Sequence, residues 1–215
     1  MFGKNKIAAL VAEFFGTAVL TLTVLSVTAR TSFPFFAAIA AGLVAGLMVL
    51  IIGKASGAHI NPAVTLGLWS QRKIQTSQTL VYIAAQLLGG MVAWRLGEYL
   101  LGQKTEHIAQ WGLDTPVLVA EIVGTFIFAF GVAAAVSGAY EGGKLAAVIG
   151  GSLAMCIFVA SLASNGLVNP AVALGLDSMS WAYGVGPLLG AVLGMSTHTL
   201  LFAEAPLQKP RRRKK

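Results

Sequence analysis

Charge is what this 215-residue chain has least of: only 11% of its residues are Asp, Glu, Lys or Arg, against about 25% in an ordinary soluble domain. With 56% hydrophobic residues and a mean hydropathy of +0.78, that shortage excludes a soluble globular domain and leaves a polytopic membrane protein. Cysteine is nearly absent, and a single Cys156 excludes an internal disulfide framework. Histidine is scarce too. His59, His107 and His198 lie on separate segments, without metal-ligand spacing or an activated nucleophile beside them, so no enzyme activity, cofactor or metal site is expected. The net charge of +7 suggests a nucleic-acid partner, but it collects in Lys209-Pro-Arg-Arg-Arg-Lys-Lys215 and in short loops, and nucleic acid is rejected as a partner. The tail, residues 204–215, is read as a basic cytoplasmic segment. It serves as a topology determinant, with anionic lipid headgroups as the alternative contact.

What the chain has is apolar length. A hydrocarbon core of about 30 Å needs roughly 20 helical residues, and six stretches supply them: Ile7 to Ala29, Phe35 to Gly53, Thr79 to Leu101, Pro116 to Val136, Leu145 to Ala163 and Trp181 to Phe202. The first carries Glu13 and half of a duplicated motif, so it is read as a retained span and not a cleaved leader. With the N-terminus inside, twelve of the fifteen basic residues fall on the inner side, Arg30 and Lys104 fall outside, and Arg95 pairs with Glu98 one turn on. A multi-pass protein of the cell membrane with both termini cytoplasmic is expected.

The chain also repeats itself. Asn61-Pro-Ala-Val-Thr-Leu-Gly-Leu68 returns as Asn169-Pro-Ala-Val-Ala-Leu-Gly-Leu176, and Val11-Ala-Glu-x-x-Gly-Thr17 returns as Val119-Ala-Glu-x-x-Gly-Thr125, both at an offset of 108 (169 − 61). Two motifs sharing one offset mark a duplicated unit, about 7–101 and about 116–203, within a single transmembrane domain 1–215. Three spans per copy is an odd number, so the copies are inverted. Inverted repeats place their working site near the bilayer midplane and build it from broken helices.

The duplicated octapeptide fits that part. Nine residues reach only about 13 Å, half the core. Asn is a favoured N-cap and Pro suits the first helical position, so Asn61-Pro62-Ala63 and Asn169-Pro170-Ala171 each open a re-entrant half-helix. The apolar flanks Ala58-His-Ile60 and Gly166-Leu-Val168 argue against two surface turns. N-termini meeting at mid-membrane repel a cation, while the two Asn amides donate to a polar neutral molecule. Non-helical backbone at that depth must be satisfied by protein, and Glu13 and Glu121 are assigned to brace the two loops, with His59 as a further partner of Glu13. A proton relay through the two glutamates is the sharper alternative.

These motifs, with Ser56-Gly-Ala-His-Ile-Asn-Pro-Ala-Val-Thr65 and the paired Ala-Glu-x-x-Gly-Thr, make the chain similar to the aquaporin (major intrinsic protein) channels over essentially its whole length. The resemblance implies an all-α membrane protein with an aquaporin-like inverted repeat, six transmembrane helices plus two half-helices. It further implies a homotetramer with one pore per subunit, in a lipid bilayer, passing water or small uncharged solutes. It maps the pore motif onto Asn61 and Asn169 and the family's selectivity filter onto Ala41, Ile157, Gly166 and Val172. Most members carry arginine where Val172 stands, and glycerol-conducting ones often follow it with Asp where this chain has Ala173. The expected filter is therefore wide and apolar, with Arg95 or Arg30 as alternative sources of the missing charge. Water, ammonia, urea and glycerol all remain open as solutes. A secondary transporter would need a coupling-ion site and an ion pore would need rings of charge or carbonyls, neither of which is legible.

Overall fold

The computed structural model describes residues 4–105, 112 and 114–202; His107 and the basic tail lie outside the described residues. Among the described residues eight helices follow one another: α1 (Lys4–Thr28), α2 (Pro34–Ser56), α3 (Pro62–Ser70), α4 (Thr76–Leu101), α5 (Thr115–Ser137), α6 (Gly142–Ala160), α7 (Pro170–Gly175) and α8 (Trp181–Phe202). Six of them are long and apolar enough to cross a membrane, and α3 and α7 are the two half-helices. The fold is the one the sequence leads one to expect. Helix bounds differ from it by a few residues, and α7 has six residues where α3 has nine.

Local signals set the ends. Proline stands at the first turn of α2, α3, α5 and α7, where its missing N–H costs nothing. Gly57, at φ 93°, stops α2 in the left-handed region, and its N–H returns to the Gly53 carbonyl. Between spans the apolar side chains divide: Val11, Phe15, Leu43, Leu47, Leu80 and Leu193 stay exposed, as lipid-facing residues do, while small residues occupy the seams.

Those seams are what lets six spans close around two half-helices. At the α2–α6 crossing, a Cβ on Gly42 would strike the Gly150 carbonyl oxygen and a Cβ on Gly150 would strike that of Gly42. The two glycines are 108 apart (150 − 42), so the pseudo-twofold relation of the repeats runs through this contact. Along α8, Gly186, Gly190 and Gly194 lie against Leu118–Glu121, Ile122–Thr125 and Phe126 of α5, the small-residue packing that lipid-embedded helices use in place of a hydrophobic driving force. Gly89 sits on the Phe14 carbonyl of α1 and Gly90 on the Ala171 carbonyl of α7, which docks the second half-helix against the first repeat.

Candidate functional site: a pore at the meeting of two half-helices

Each half-helix begins the way its first residue dictates. Asn61 and Asn169 are extended, at φ −157° and −154°, and their Oδ1 atoms accept from Ala63 N–H and Ala171 N–H at 2.8 and 3.0 Å. Asn169 Oδ1 also receives Val172 N–H at 3.4 Å. Pro62, Ala63, Pro170 and Ala171 are buried behind these caps.

The residues just before the caps carry the strain. Ile60 and Val168 both have positive φ, 41° and 44°, a conformation that costs a β-branched residue of order 1–3 kcal/mol. That twist lets one residue bond in two directions. Ile60 N–H donates to Glu13 Oε2 at 2.7 Å while its carbonyl accepts from Asn169 Nδ2 at 2.9 Å. Val168 N–H donates to Glu121 Oε2 at 2.7 Å while its carbonyl accepts from Asn61 Nδ2 at 2.9 Å. His59 and Leu167 N–H complete the carboxylate clamps on Glu13 Oε1 and Glu121 Oε1 at 2.9 and 3.0 Å. Each asparagine therefore ties its own half-helix to the other repeat's loop, and each keeps one further amide N–H for a solute.

The rest of the Ala-Glu-x-x-Gly-Thr motif now has a physical reason. One turn after each glutamate, a Cβ on Gly16 would land on the Ile60 side chain, and one on Gly124 would meet Ala160, Cys156 and Val168. The glutamate holds the loop's N–H groups and the glycine leaves room for the loop's side chain.

Partners behind the carboxylates were not legible as such. Gln86 Nε2 donates to Glu13 Oε2 at 2.7 Å and reaches Thr65 Oγ1 at 2.9 Å; Ser164 Oγ donates to Glu121 Oε1 at 2.7 Å. A glutamine inside an apolar span was the available signal, as was the offset that pairs Ser164 with Ser56. His59 meets Glu13 through its main chain; its ring Nδ1 lies 3.2 Å from Thr65 Oγ1, and the ring makes a T-shaped contact with Tyr82, centroids 5.3 Å apart.

A cavity of about 240 Å³ passes between the half-helices. It runs from Thr28, Ser32 and Pro34 at one end, past Asn61 and Asn169, to Ala45, Ala58, His59 and Ile149 at the other. Ala41, Ile157, Gly166 and Val172 all line it. Gly166, at φ 62°, could not carry a Cβ without pressing on Ile157. Sequence reasoning missed Leu20 and Phe128, which line the cavity from α1 and α5 and are themselves 108 apart, so the offset pairs them once either one is known to face the pore. The alternative sources of positive charge point elsewhere: Arg95 pairs with Glu98 at 3.1 Å and lies over Trp94, and Arg30 Nη1 donates to Ser26 O. Among the described residues no group of three His, Cys, Asp or Glu is placed to hold a metal.

Comparison with known proteins places this arrangement. The family profile described as Major intrinsic protein matches residues 4–198. Aquaporin NIP1-1 of Zea mays is 32% identical over 218 residues, covering 93% of this chain and 77% of the relative. Aquaporin NIP1-1 of Oryza sativa subsp. japonica is 32% identical over 226 residues, covering 97% and 79%. The X-ray structure of the aquaglyceroporin from Plasmodium falciparum superposes with a TM-score of 0.78 at 22% identity, covering 91% of this chain and 96% of that one, a likeness of fold.

Proposed function

The chain belongs to the major intrinsic protein family, and from that premise we propose that it is a passive channel for water and small uncharged solutes, with neither catalytic activity nor cofactor. The observation that carries this reading is the pair Asn61 and Asn169, locked to each other's loops on the wall of one continuous cavity. A solute at that point gives up hydration in return for two fixed N–H donors, and a cation faces two helix N-termini. Glu13 and Glu121 have their oxygens engaged by loop N–H groups and neighbouring side chains, which favours the bracing role over a proton relay.

Ala41, Ile157, Gly166 and Val172 form the outer filter, and with no arginine among them the filter discriminates by width and polarity. Membrane spans make the protein multi-pass. The finer assignments, a cell-membrane location with both termini cytoplasmic and a homotetramer whose subunits each hold a pore, rest on the basic-residue distribution and on family membership.

Stopped-flow light scattering on proteoliposomes tests the reading: shrinkage against an impermeant osmolyte reports water, and re-swelling in glycerol or urea gradients reports solute. Non-saturable flux without current at fixed voltage is the expected result; saturation points to a transporter and current to an ion pore. Val172→Arg is expected to slow glycerol and urea re-entry, and unchanged rates remove Val172 from the filter.

A further inference from the structure

None of the four outer filter residues brings a polar side chain: Ala41, Ile157 and Val172 are aliphatic, and Gly166 has no side chain. A neutral solute gives up hydration there, so any hydrogen-bonding group beside the filter bears on which solutes pass. The polar side chains on the outer part of the cavity wall are Thr28, Thr31, Ser32, Ser161, Ser164 and Asn165. Three of them have committed their protons: Thr28 Oγ1 donates to the Val24 carbonyl at 3.0 Å, Ser161 Oγ to that of Ile157 at 2.7 Å, and Ser164 Oγ to Glu121 Oε1. Thr31 and Ser32 stand in the loop ahead of α2, at the mouth.

Asn165 differs from all of these. It immediately precedes Gly166 and is exposed on the cavity wall. Its main-chain N–H and its Nδ2 both donate to Tyr183 Oη, each at 3.0 Å, and Tyr183 is itself buried in α8. One phenol therefore fixes both the backbone and the amide of this residue, so little side-chain freedom is left to lose when a solute binds. The clamp uses one of the two amide N–H groups. The other N–H and Oδ1 have no partner among the described residues. At the corresponding inner position, 108 residues earlier (165 − 57), stands Gly57, so the amide belongs to the outer side alone.

We propose that Asn165, held by Tyr183, is the polar specificity determinant of the outer filter, supplying as a neutral group the hydrogen bonds that an arginine at position 172 would give. The inference rests on the channel reading above and deepens it by naming the solute class. A guanidinium offers donors only and a fixed charge, whereas an amide offers a donor and an acceptor side by side and no charge. The favoured solutes are therefore small neutral molecules that carry both donors and acceptors, the chemistry of ureas and polyols. Cation rejection is left to the half-helix ends.

The test separates hydrogen bonding from width in the proteoliposome assay. Asn165→Leu keeps the bulk of the side chain and removes its polar atoms; Asn165→Ala removes both; Tyr183→Phe keeps Asn165 and removes the acceptor that aims it. Each variant is first checked for a monodisperse size-exclusion profile. Both Asn165 variants are expected to lower urea and glycerol permeability relative to water permeability by about threefold or more, and Tyr183→Phe to lower it in the same direction by less. Higher solute permeability in Asn165→Ala with no change in Asn165→Leu means selection by width alone and overturns the inference. Unchanged ratios overturn it too, as does a parallel fall of water and solute flux, which marks a scaffolding role for the Asn165–Tyr183 clamp. These outcomes leave the channel standing. Wild-type water flux without urea or glycerol flux overturns the solute class, and saturable wild-type flux, or none above empty liposomes, overturns the channel reading itself.

Discussion

The loops entering α3 and α7 are held by the same carboxylate at the same two main-chain N–H groups, yet the polar groups behind the carboxylates differ. In the first repeat, Glu13 is backed by Gln86, which also holds Thr65, and Thr65 holds the His59 ring. In the second, the corresponding positions are Gly194, Ala173 and Leu167, and Glu121 relies on Ser164 from its own loop. The exchange of Gln86 for Gly194 is the informative one. A glutamine spends its volume on a buried hydrogen-bond network, whereas Gly194 gives that volume up so that α8 can rest on the Phe126 carbonyl of α5. Duplication has kept the contacts that the backbone requires, namely two N–H groups per loop and one asparagine per half-helix. It has let the surrounding support diverge between polar bonding and close helix packing.

Removing the carboxylates tests this most severely. Glu13→Ala strands two loop N–H groups and one N–H of the Gln86 amide, whose other N–H keeps Thr65 Oγ1, and each unsatisfied buried donor costs about 1–3 kcal/mol. Glu121→Ala strands two N–H groups and a serine hydroxyl that keeps the Ala160 carbonyl as a second acceptor. Both variants are expected to lose stability by several kcal/mol, with Glu13→Ala the worse. Thermal unfolding in detergent orders them, and a larger loss for Glu121→Ala would break the comparison.

Asparagine replacements probe what the repeats share. Asn61→Ala and Asn169→Ala each remove an N-cap, about 1–2 kcal/mol, together with one cross-repeat bond, and each is expected to lower water permeability. Because the two bonds form one reciprocal lock, the double variant should lose less stability than the sum of the singles; strict additivity in a double-mutant cycle would show that the loops are held independently.

The smallest expected effect separates two left-handed positions. Ala58 has φ 50° and its repeat partner Gly166 has φ 62°. Gly166→Ala puts a Cβ against Ile157 and into a conformation costing about 1–2 kcal/mol, so its melting temperature should fall. Ala58→Gly relieves the same strain but frees the unfolded chain, so its change should stay within about 1 kcal/mol of zero. Equal destabilisation by both would mean that the two loops are not conformational equivalents.

Much of this architecture was written where a reader of the sequence can find it. Six apolar lengths, two Asn-Pro starts and two buried glutamates each report a local demand: the thickness of hydrocarbon, the geometry of a helix N-terminus, the cost of an unpaired acid. A shared offset of 108 turned those local facts into an inverted pair. Gln86, Thr65 and Ser164 could not be assigned in the same way, because their partners come from helices or loops distant in the chain and meet only after glycine seams have set the approach of those helices. The His59 ring, read as a partner for Glu13, turns instead to Thr65 for the same reason, since the carboxylate is already engaged by main-chain N–H groups and Gln86.

The sequence by itself determined that the chain is a duplicated, six-span membrane protein whose two asparagines open half-helices, because hydropathy, capping and repetition act through the transfer energy and backbone geometry of short segments. Only the tertiary structure decided that Ala41, Ile157, Gly166 and Val172 line one cavity with the two asparagines, while of their repeat partners only Ala58 and Ile149 do. That outcome depends on where α2 and α6 cross, and the crossing is set by the mutual fit of Gly42 and Gly150 across 108 residues of chain.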